Sequence, residues 1–160
     1  MNIHEQKMCE LQGEAFAVSA NRLNCGSVFF IARFMNCELA KNLDEIDDPY
    51  NFVSPYNIIN YMKDTYPSLN DNTGIKYPEN VLKWMGSVYR AWSIIKKTKS
   101  WKIYKVMKAN TLFSLYDSFH TFSLEYCVDR LVEIIEQKSE QINAYQLYKE
   151  IRLDLKNKRC

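Results

Sequence analysis

The sequence of 160 residues has only four glycines, four prolines and two histidines. So few turn residues argue against a β-sandwich, and a hydrophobic content of 47% argues against disorder. No stretch approaches the roughly 20 apolar residues that a membrane span needs. The N-terminus also shows no basic region followed by an apolar run. We therefore expect a cytoplasmic, all-α protein that folds as one compact domain over residues 1–160, with about six to eight helices.

Common catalytic and phosphate-binding motifs are missing as well. The patterns GxxxxGK[ST], GxGxxG, HExxH and GxSxG do not occur. The five cysteines are scattered and include no C-x-x-C pair, which indicates buried, reduced thiols and argues against disulfides or a zinc site. We predict no catalytic residue, no metal ion and no cofactor, and hence a protein that is not an enzyme.

Apolar residues at helical spacing predict most of the chain to be helical. The predicted helices cover residues 5–23, 27–43, 55–66, 78–97, 100–108 and 123–155. Their predicted N-caps include Ser27, Ser54, Ser100 and Ser123. The apolar stripe of the first helix is predicted to be Met8, Leu11, Ala15 and Val18, and the very apolar second helix is predicted to be central. The polar run 68–76 is predicted to be a mobile loop. Gly86, in mid-helix, indicates either a close helix crossing, which we favour, or a close contact with a partner.

Arg90 lies on the side of its helix opposite the apolar stripe, together with Lys83 and Lys97, and this side is predicted to be exposed. A guanidinium has five donors that suit carboxylates or phosphates. Two fates follow for Arg90. It either contacts a partner, which we favour, or pairs internally with Asp117 or with an acid of residues 44–48.

Positive charge is concentrated in one part of the chain, although the net charge is only +2. No acidic residue lies between Glu79 and Asp117. The helix over 100–108 carries a lysine ridge of Lys102, Lys105 and Lys108, interleaved with Trp101 and Tyr104. The acidic residues in 44–48 either face this ridge, within the molecule or across a dimer, or are simply solvated. Lysines beside aromatic rings also suit nucleic acid, for which the phosphate contacts would be Lys96, Lys97, Lys99, Lys102 and Lys105.

His120 lies where one helix must end before Ser123 caps the next. Its ring nitrogens suit the exposed carbonyl groups of a helix end, and we favour this structural role over acid–base chemistry because no partnered nucleophile is evident.

Several short motifs resemble those of a small, uncharacterised helical family of Firmicutes and their mobile elements. They are Asn21-Arg22-Leu23-Asn24-Cys25, Phe34-Met35, Ala40, Leu43-Asp44, Trp84-Met85-Gly86, Tyr89-Arg90-Ala91-Trp92, Ile103-Tyr104 and Phe119-His120-Thr121. The chain departs from that family at Ala91, where an aromatic residue is usual, and at Phe122-Ser123, where Leu-Asp is usual. The resemblance implies a gene placed beside an ADP-ribosyltransferase-like toxin, and hence an antitoxin or accessory role.

These observations favour an antitoxin-like or regulatory protein-binding module, which neutralises a toxin or acts in a phage-defence or mobile-element system. The alternative is a sequence-tolerant nucleic-acid-binding protein. A homodimer, formed through the last helix, is a further option. The predicted partner-binding residues are Tyr89, Arg90, Trp92, Lys102, Tyr104, Lys105, Asp117, His120 and Thr121.

Overall fold

The computed structural model describes residues 1–45, 54–71 and 73–157. Within these ranges the chain is 80% helical, without strands, which confirms the all-α prediction. The helices are α1 Ile3–Arg22, α2 Ser27–Met35, α3 Glu38–Leu43, α4 Pro55–Thr65, α5 Ser68–Asp71, α6 Glu79–Lys96, α7 Ser100–Val106, α8 Ala109–Ser114, α9 Tyr116–Phe119 and α10 Leu124–Asn157. The described part of the chain thus has ten helices instead of six to eight.

Helices α1 and α6 form the central pair of the fold. They approach so closely that a Cβ atom on Gly86 would lie 2.7 Å from the carbonyl oxygen of Gln12 and 2.9 Å from Cα of Gly13. A Cβ atom on Gly13 would overlap with Ser87 in the same way. Glycine at both positions therefore permits the crossing, and the favoured prediction for Gly86 is confirmed.

The buried face of α1 differs from the predicted stripe. Met8 and Ala15 are buried as predicted, whereas Leu11 and Val18 are only partly buried. The other core-facing residues of α1 are Cys9, Gln12, Gly13, Phe16 and Ser19. The close crossing with α6 explains the difference, because small and polar side chains face a helix that leaves little room.

Aromatic side chains fill the core beside this crossing. The ring of Phe16 meets the rings of Phe30 and Phe34 edge to face, with centroids 5.3 Å and 5.2 Å apart. Edge-to-face contact is a favourable arrangement for aromatic pairs. Phe30 and Phe34 of α2 are buried, whereas Val28 of the same helix is 41% exposed. The very apolar helix α2 therefore contributes one face to the core beside α1 and α6, and the prediction that it is central holds only for that face.

Helix boundaries follow local signals in some places and tertiary contacts in others. Ser54 caps α4 by accepting a hydrogen bond from Tyr56 N, as predicted. Ser27 and Ser100 are instead the first residues of their helices, because their hydroxyl groups contact other segments. The predicted helix over 27–43 is interrupted, and Cys37 caps α3.

Residues 68–71 form the short helix α5 with Leu69 buried, so the predicted loop over 68–76 is partly helical. After α5, Thr73 forms an isolated β-bridge with Cys25, and Ser27 N donates to Ile75 O at 2.9 Å. These bonds tie the segment to the start of α2. Asn72 lies outside the described residues.

The chain divides into two units, Met1–Val128 and Asp129–Cys160. The first contains α1 to α9 and the start of α10. In the second, apolar side chains of α10 are 51–59% exposed, namely Ile142, Tyr145, Leu147, Tyr148, Ile151 and Leu153. The single domain over 1–160 stays a prediction. Within the described ranges, no helix combines the length and apolar character of a membrane span.

Candidate binding site

Arg90 is buried in the core, with only 1% of its side chain exposed. Its Nε donates to Gln12 Oε1 and its Nη1 donates to Asp44 Oδ1, both at 2.8 Å. The predicted exposure of this side of α6 is therefore wrong at Arg90. The periodicity showed which side of α6 is apolar, but it did not show that α1 and the end of α3 cover the other side as well.

Asp44 accepts four hydrogen bonds through a carboxylate that is 2% exposed. Oδ1 accepts from Arg90 Nη1, from Ser93 Oγ at 2.9 Å and from Ser100 Oγ at 2.6 Å. Oδ2 accepts from Ser100 N at 2.7 Å, where a negative charge also suits the start of α7. Asp44 therefore joins α6 to the first turn of α7.

The acidic segment reaches the basic part of the chain within the molecule. Glu45 lies 2.8 Å from Lys99 Nζ, and this hydrogen bond, with the charge of Lys99, holds the pKa of Glu45 below its usual value. Asp44 contacts Arg90, so Arg90 has the internal pairing with an acid of residues 44–48 and not the exposed partner contact that the sequence favoured. Asp47 and Asp48 lie outside the described residues.

The third nitrogen of the Arg90 guanidinium, Nη2, is buried and has no hydrogen-bond partner within the described chain. Burial lowers the pKa of Arg90 below its usual value, and the charge and hydrogen bond of Asp44 act against this shift. A buried donor without an acceptor is uncommon in proteins, because the lost hydration is not replaced. Two of the three guanidinium nitrogens of Arg90 thus have hydrogen-bond partners, and the third is an unsatisfied donor.

A cavity of about 530 Å³ opens beside Arg90. It is lined by Asn2, His4, Glu5, Met8, Leu43, Asp44, Arg90, Ser93, Ile94, Lys97, Thr98 and Lys99. Lys97, at the C-terminal end of α6, has φ 48° and ψ 44°, a left-handed conformation that usually favours glycine. Both the end of α6 and the start of α1 therefore contribute charged groups to the cavity wall.

A basic and aromatic patch covers the outer side of α7. We call it the α7 surface, and it consists of Trp101, Lys102, Lys105, Val106 and Lys108. The indole of Trp101 is 42% exposed, and the amines of Lys102 and Lys105 each lie 5.5 Å from a Trp101 ring centroid. Lys108 Nζ lies 4.5 Å from the ring centroid of Tyr104, which is itself 7% exposed. Ammonium groups at such distances are attracted to the faces of aromatic rings.

The predicted partner-binding residues separate into buried and exposed groups. Tyr89, Arg90, Trp92 and Tyr104 are buried. The hydroxyl of Tyr89 donates to Met107 O at 2.9 Å, and burial raises its pKa well above the usual value. These four side chains belong to the core and not to an exposed partner surface. The exposed ones are Lys102 and Lys105 on α7, and Asp117, His120 and Thr121 near the end of α9.

His120 lies at the end of α9 and contacts the helix-end carbonyl group of Tyr116 through Nδ1, at 2.9 Å. Its ring stacks on the ring of Tyr116 with centroids 4.4 Å apart. The hydroxyl of Tyr116 in turn accepts from Asn80 Nδ2 on α6. The predicted contact of His120 with a helix-end carbonyl group is therefore confirmed.

The cysteines Cys9, Cys25, Cys37 and Cys127 are buried free thiols, as predicted, and Cys160 lies outside the described residues. Burial raises the pKa of each of the four above its usual value, in the case of Cys9 to about 12. Thiols in this state are poor nucleophiles.

The sequence analysis missed Gln12, and it named Lys97 only as an exposed residue and a phosphate contact. Gln12 follows Met8 by one helical turn, so a glutamine on the apolar side of α1 was an available signal for a buried polar contact. The left-handed conformation of Lys97 had no signal in the sequence, because a left-handed helix end is normally predicted from a glycine.

No protein-family profile, curated protein or solved structure matches this chain.

Proposed function

We propose that the protein is a non-enzymatic protein-binding module of antitoxin or regulatory type, which docks an acidic partner on the α7 surface. The exposed ring of Trp101, with two ammonium groups beside it, carries this proposal. Tryptophan is enriched among the residues that dominate interface energies. Trp101 offers a partner apolar contact area, and Lys102 and Lys105 offer it positive charge at the same place.

The inner side of α7 supports the same function by fixing the helix in place. Asp44 holds Ser100, while Ile103 and Tyr104 are buried. A surface that is ordered before binding loses less conformational entropy when the partner docks. The exposed side chains are therefore presented by a firmly held helix.

Charge supports an acidic partner. No acidic residue lies between Glu79 and Asp117, so the α7 surface has no carboxylate nearby in sequence. A local positive field accelerates encounter with an acidic protein and disfavours basic ones. The resemblance to the mobile-element family points to a toxin encoded nearby as the partner. A cytoplasmic location and a homodimer are further predictions from the sequence.

Nucleic acid is the second candidate, favoured by the exposed amines of Lys102, Lys105 and Lys108 along one helix. Two observations weigh against it. Tyr104 is buried, so its ring cannot stack on a base. Lys99 is moreover paired with Glu45.

Co-expression with the proteins encoded beside its gene, followed by pull-down and calorimetry, tests the proposal. We expect at least one of these proteins to form a stable complex. Trp101→Ala should weaken that complex by about 2 kcal/mol or more, since a central tryptophan of an interface usually costs this much when truncated. Lys102→Glu with Lys105→Glu should slow association, and the effect should shrink as salt is added.

The matched control is Lys7→Glu with Lys63→Glu, which makes the same change of charge at exposed positions of α1 and α4. It should leave the complex unchanged. Failure to recover any neighbouring protein, or a complex that is indifferent to Trp101→Ala and to the α7 charge reversal, contradicts the proposal. Gel shifts with single-stranded DNA and RNA whose affinity falls steeply with salt would favour the second candidate instead.

A further inference from the structure

The second half of α10 is exposed on every side, although it carries large apolar residues. Each residue from 136 to 153 is exposed. Six apolar side chains of this segment, two of them tyrosines, are 51–59% exposed. Single exposed apolar residues are normal on a protein surface, but a contiguous set of them marks an interaction site. This part of α10 therefore has the character of a helix that another helix covers.

The charged residues of the segment do not stabilise it as a lone helix. Exposed helices are usually supported by opposite charges three or four positions apart. Over residues 136–156 the sequence contains no such pair. Like charges have these spacings instead, namely Glu136 with Glu140, and Lys149 with Arg152 and Lys156. Because like charges at these spacings destabilise an isolated helix, the pattern suits a helix whose charges find their partners on another chain.

Residues 133–152 of α10 also follow the seven-residue repeat of a coiled coil. In this repeat, written a to g, positions a and d face the partner helix, while positions e and g flank them. The residues at a and d, in chain order, are Ile134, Gln137, Gln141, Ala144, Tyr148 and Ile151. Those at g are Glu133, Glu140 and Leu147, and those at e are Lys138, Tyr145 and Arg152. The contact strip is thus polar only at its two glutamines, and its flanks carry opposite charges.

These flanks distinguish between the two directions in which a second copy could pack. In a parallel pair, each g residue lies beside the e residue five positions later in the partner helix, so Glu133 faces Lys138 of the partner subunit. In an antiparallel pair, g lies beside g and e beside e, which brings acids together and bases together. Glu133 also contacts Arg130 of its own helix through Oε2. The charges therefore complement a second copy of the same helix in parallel orientation.

We propose that two copies of the chain pair through residues 133–152 as a parallel coiled coil. Tyr148 and Ile151 pack against the same residues of the second copy, and Glu133 pairs with Lys138 across the seam. Leu147 covers the aliphatic part of Arg152 in the same way. The seam lies within the unit Asp129–Cys160 and uses no residue of the α7 surface, so it goes beyond the proposed function and is tested separately from it.

Sedimentation equilibrium of the full chain at about 1–100 μM tests the pairing. A strip of 20 residues is only about 30 Å long, so we expect a monomer–dimer equilibrium in the micromolar range. Tyr148→Ser with Ile151→Ser should be monomeric throughout. Both side chains are exposed, so circular dichroism should show that the variant keeps its helical fold and its melting temperature at low concentration. A parent protein that stays monomeric, or a variant that dimerises like the parent, overturns the proposal.

The role of the flanks is tested by Lys138→Glu with Arg152→Glu, which makes both flanks acidic. The dissociation constant of the dimer should rise by about tenfold or more, since like charges then face each other across the seam. The matched control is Lys7→Glu with Lys63→Glu, the same change of charge at exposed positions of α1 and α4. It should dimerise like the parent protein. Equal dissociation constants for the two charge variants contradict the assignment of the flanks.

The direction of the pair is tested by disulfide cross-linking in a Cys160→Ser background. The four cysteines of the described chain are buried and should not compete. Gln137→Cys and Tyr148→Cys place a thiol at position d and at position a. In a parallel pair each variant should link to itself under mild oxidation, because equivalent residues meet across the seam. Lys63→Cys, on α4, should not link. Linking only in a mixture of the Gln137→Cys and Tyr148→Cys proteins would show an antiparallel pair and overturn the proposal.

Discussion

Arg90 carries its charge inside the core, where Asp44 and Gln12 take the place of water. We expect Arg90→Ala to lower the free energy of unfolding by about 3–5 kcal/mol, because Asp44 would remain buried without its counter-charge. Urea denaturation followed by circular dichroism measures the change.

Lys83→Ala is the control for this prediction. Lys83 lies on the same helix and pairs with Glu14 of α1, but both side chains are about half exposed. The loss should stay below about 1 kcal/mol, as is usual for exposed ion pairs. If Arg90→Ala and Lys83→Ala lower the free energy of unfolding equally, the buried pair of Arg90 and Asp44 contributes no more to stability than an exposed ion pair.

Cys9 makes stability depend on pH. Burial raises its pKa from 9.0 to about 12 in the folded protein, so the unfolded chain loses this proton first as the pH rises. The stabilising contribution is complete below the unfolded value and is lost as the pH rises from about 9 towards 12. Cys9→Ala should therefore reduce the alkaline slope of the free energy of unfolding by about 1.4 kcal/mol per pH unit.

Urea titrations at several pH values between 8 and 11 measure that slope. The other three buried thiols and Tyr89 also have raised pKa values, so part of the slope should remain in the variant. Parallel curves for Cys9→Ala and the parent protein would mean that Cys9 ionises alike in the folded and unfolded states.

At the scale of elements, the crossing of α1 and α6 depends on Gly86. We expect Gly86→Ala to destabilise the fold by about 1–3 kcal/mol through overpacking against Gln12 and Gly13, although alanine favours helices by about 1 kcal/mol. Lys7→Ala, a substitution at an exposed position of α1, should be close to neutral. A Gly86→Ala protein as stable as the parent would mean that the two helices separate at little cost. Thermal and urea denaturation of both variants measure the change in the free energy of unfolding.

The sequence predicted elements well where the signal is local. Ser54 followed by Pro55 marks the start of α4, and Ser123 caps α10 through Tyr126 N. Serine also predicted N-caps at Ser27 and Ser100, and there the prediction was wrong. Ser27 Oγ accepts a hydrogen bond from Tyr77 N, and Ser100 Oγ donates one to Asp44 Oδ1. A serine alone does not reveal whether its oxygen is used by its own helix or by a distant segment.

The candidate site was less predictable because its contacts join distant parts of the chain. Arg90 and Asp44 are 46 residues apart, and Arg90 and Gln12 are 78 apart. The spacing of apolar residues shows only how residues are arranged around one helix. It does not show which other helices cover each side, so Arg90 was predicted to be exposed. The charge of the α7 surface, in contrast, was visible in the sequence, since Lys102, Lys105 and Trp101 are neighbours.

At the scale of the whole molecule, Asp44 lies between the cavity beside Arg90 and the α7 surface. This residue lines the cavity, and it also lines a small cleft beside Trp101 of the α7 surface. Its bonds to Ser100 hold the first turn of α7, while its bond to Arg90 belongs to the cavity wall. Asp44 therefore joins the cavity wall to the helix that carries the α7 surface.

The pairing of α1 with α6 has a consequence for synthesis on the ribosome. Gln12 and Gly86, which touch in the folded protein, are separated by 74 positions in the chain. At a translation rate of about 5–20 residues per second, α6 is translated roughly 4–15 s after α1. During that interval α2 and α4, which also contact α1, are translated, and Phe30 and Phe34 of α2 can cover Phe16. The face of α1 that packs against α6 stays exposed for longer, and exposed apolar surface of this kind makes a nascent chain prone to aggregation.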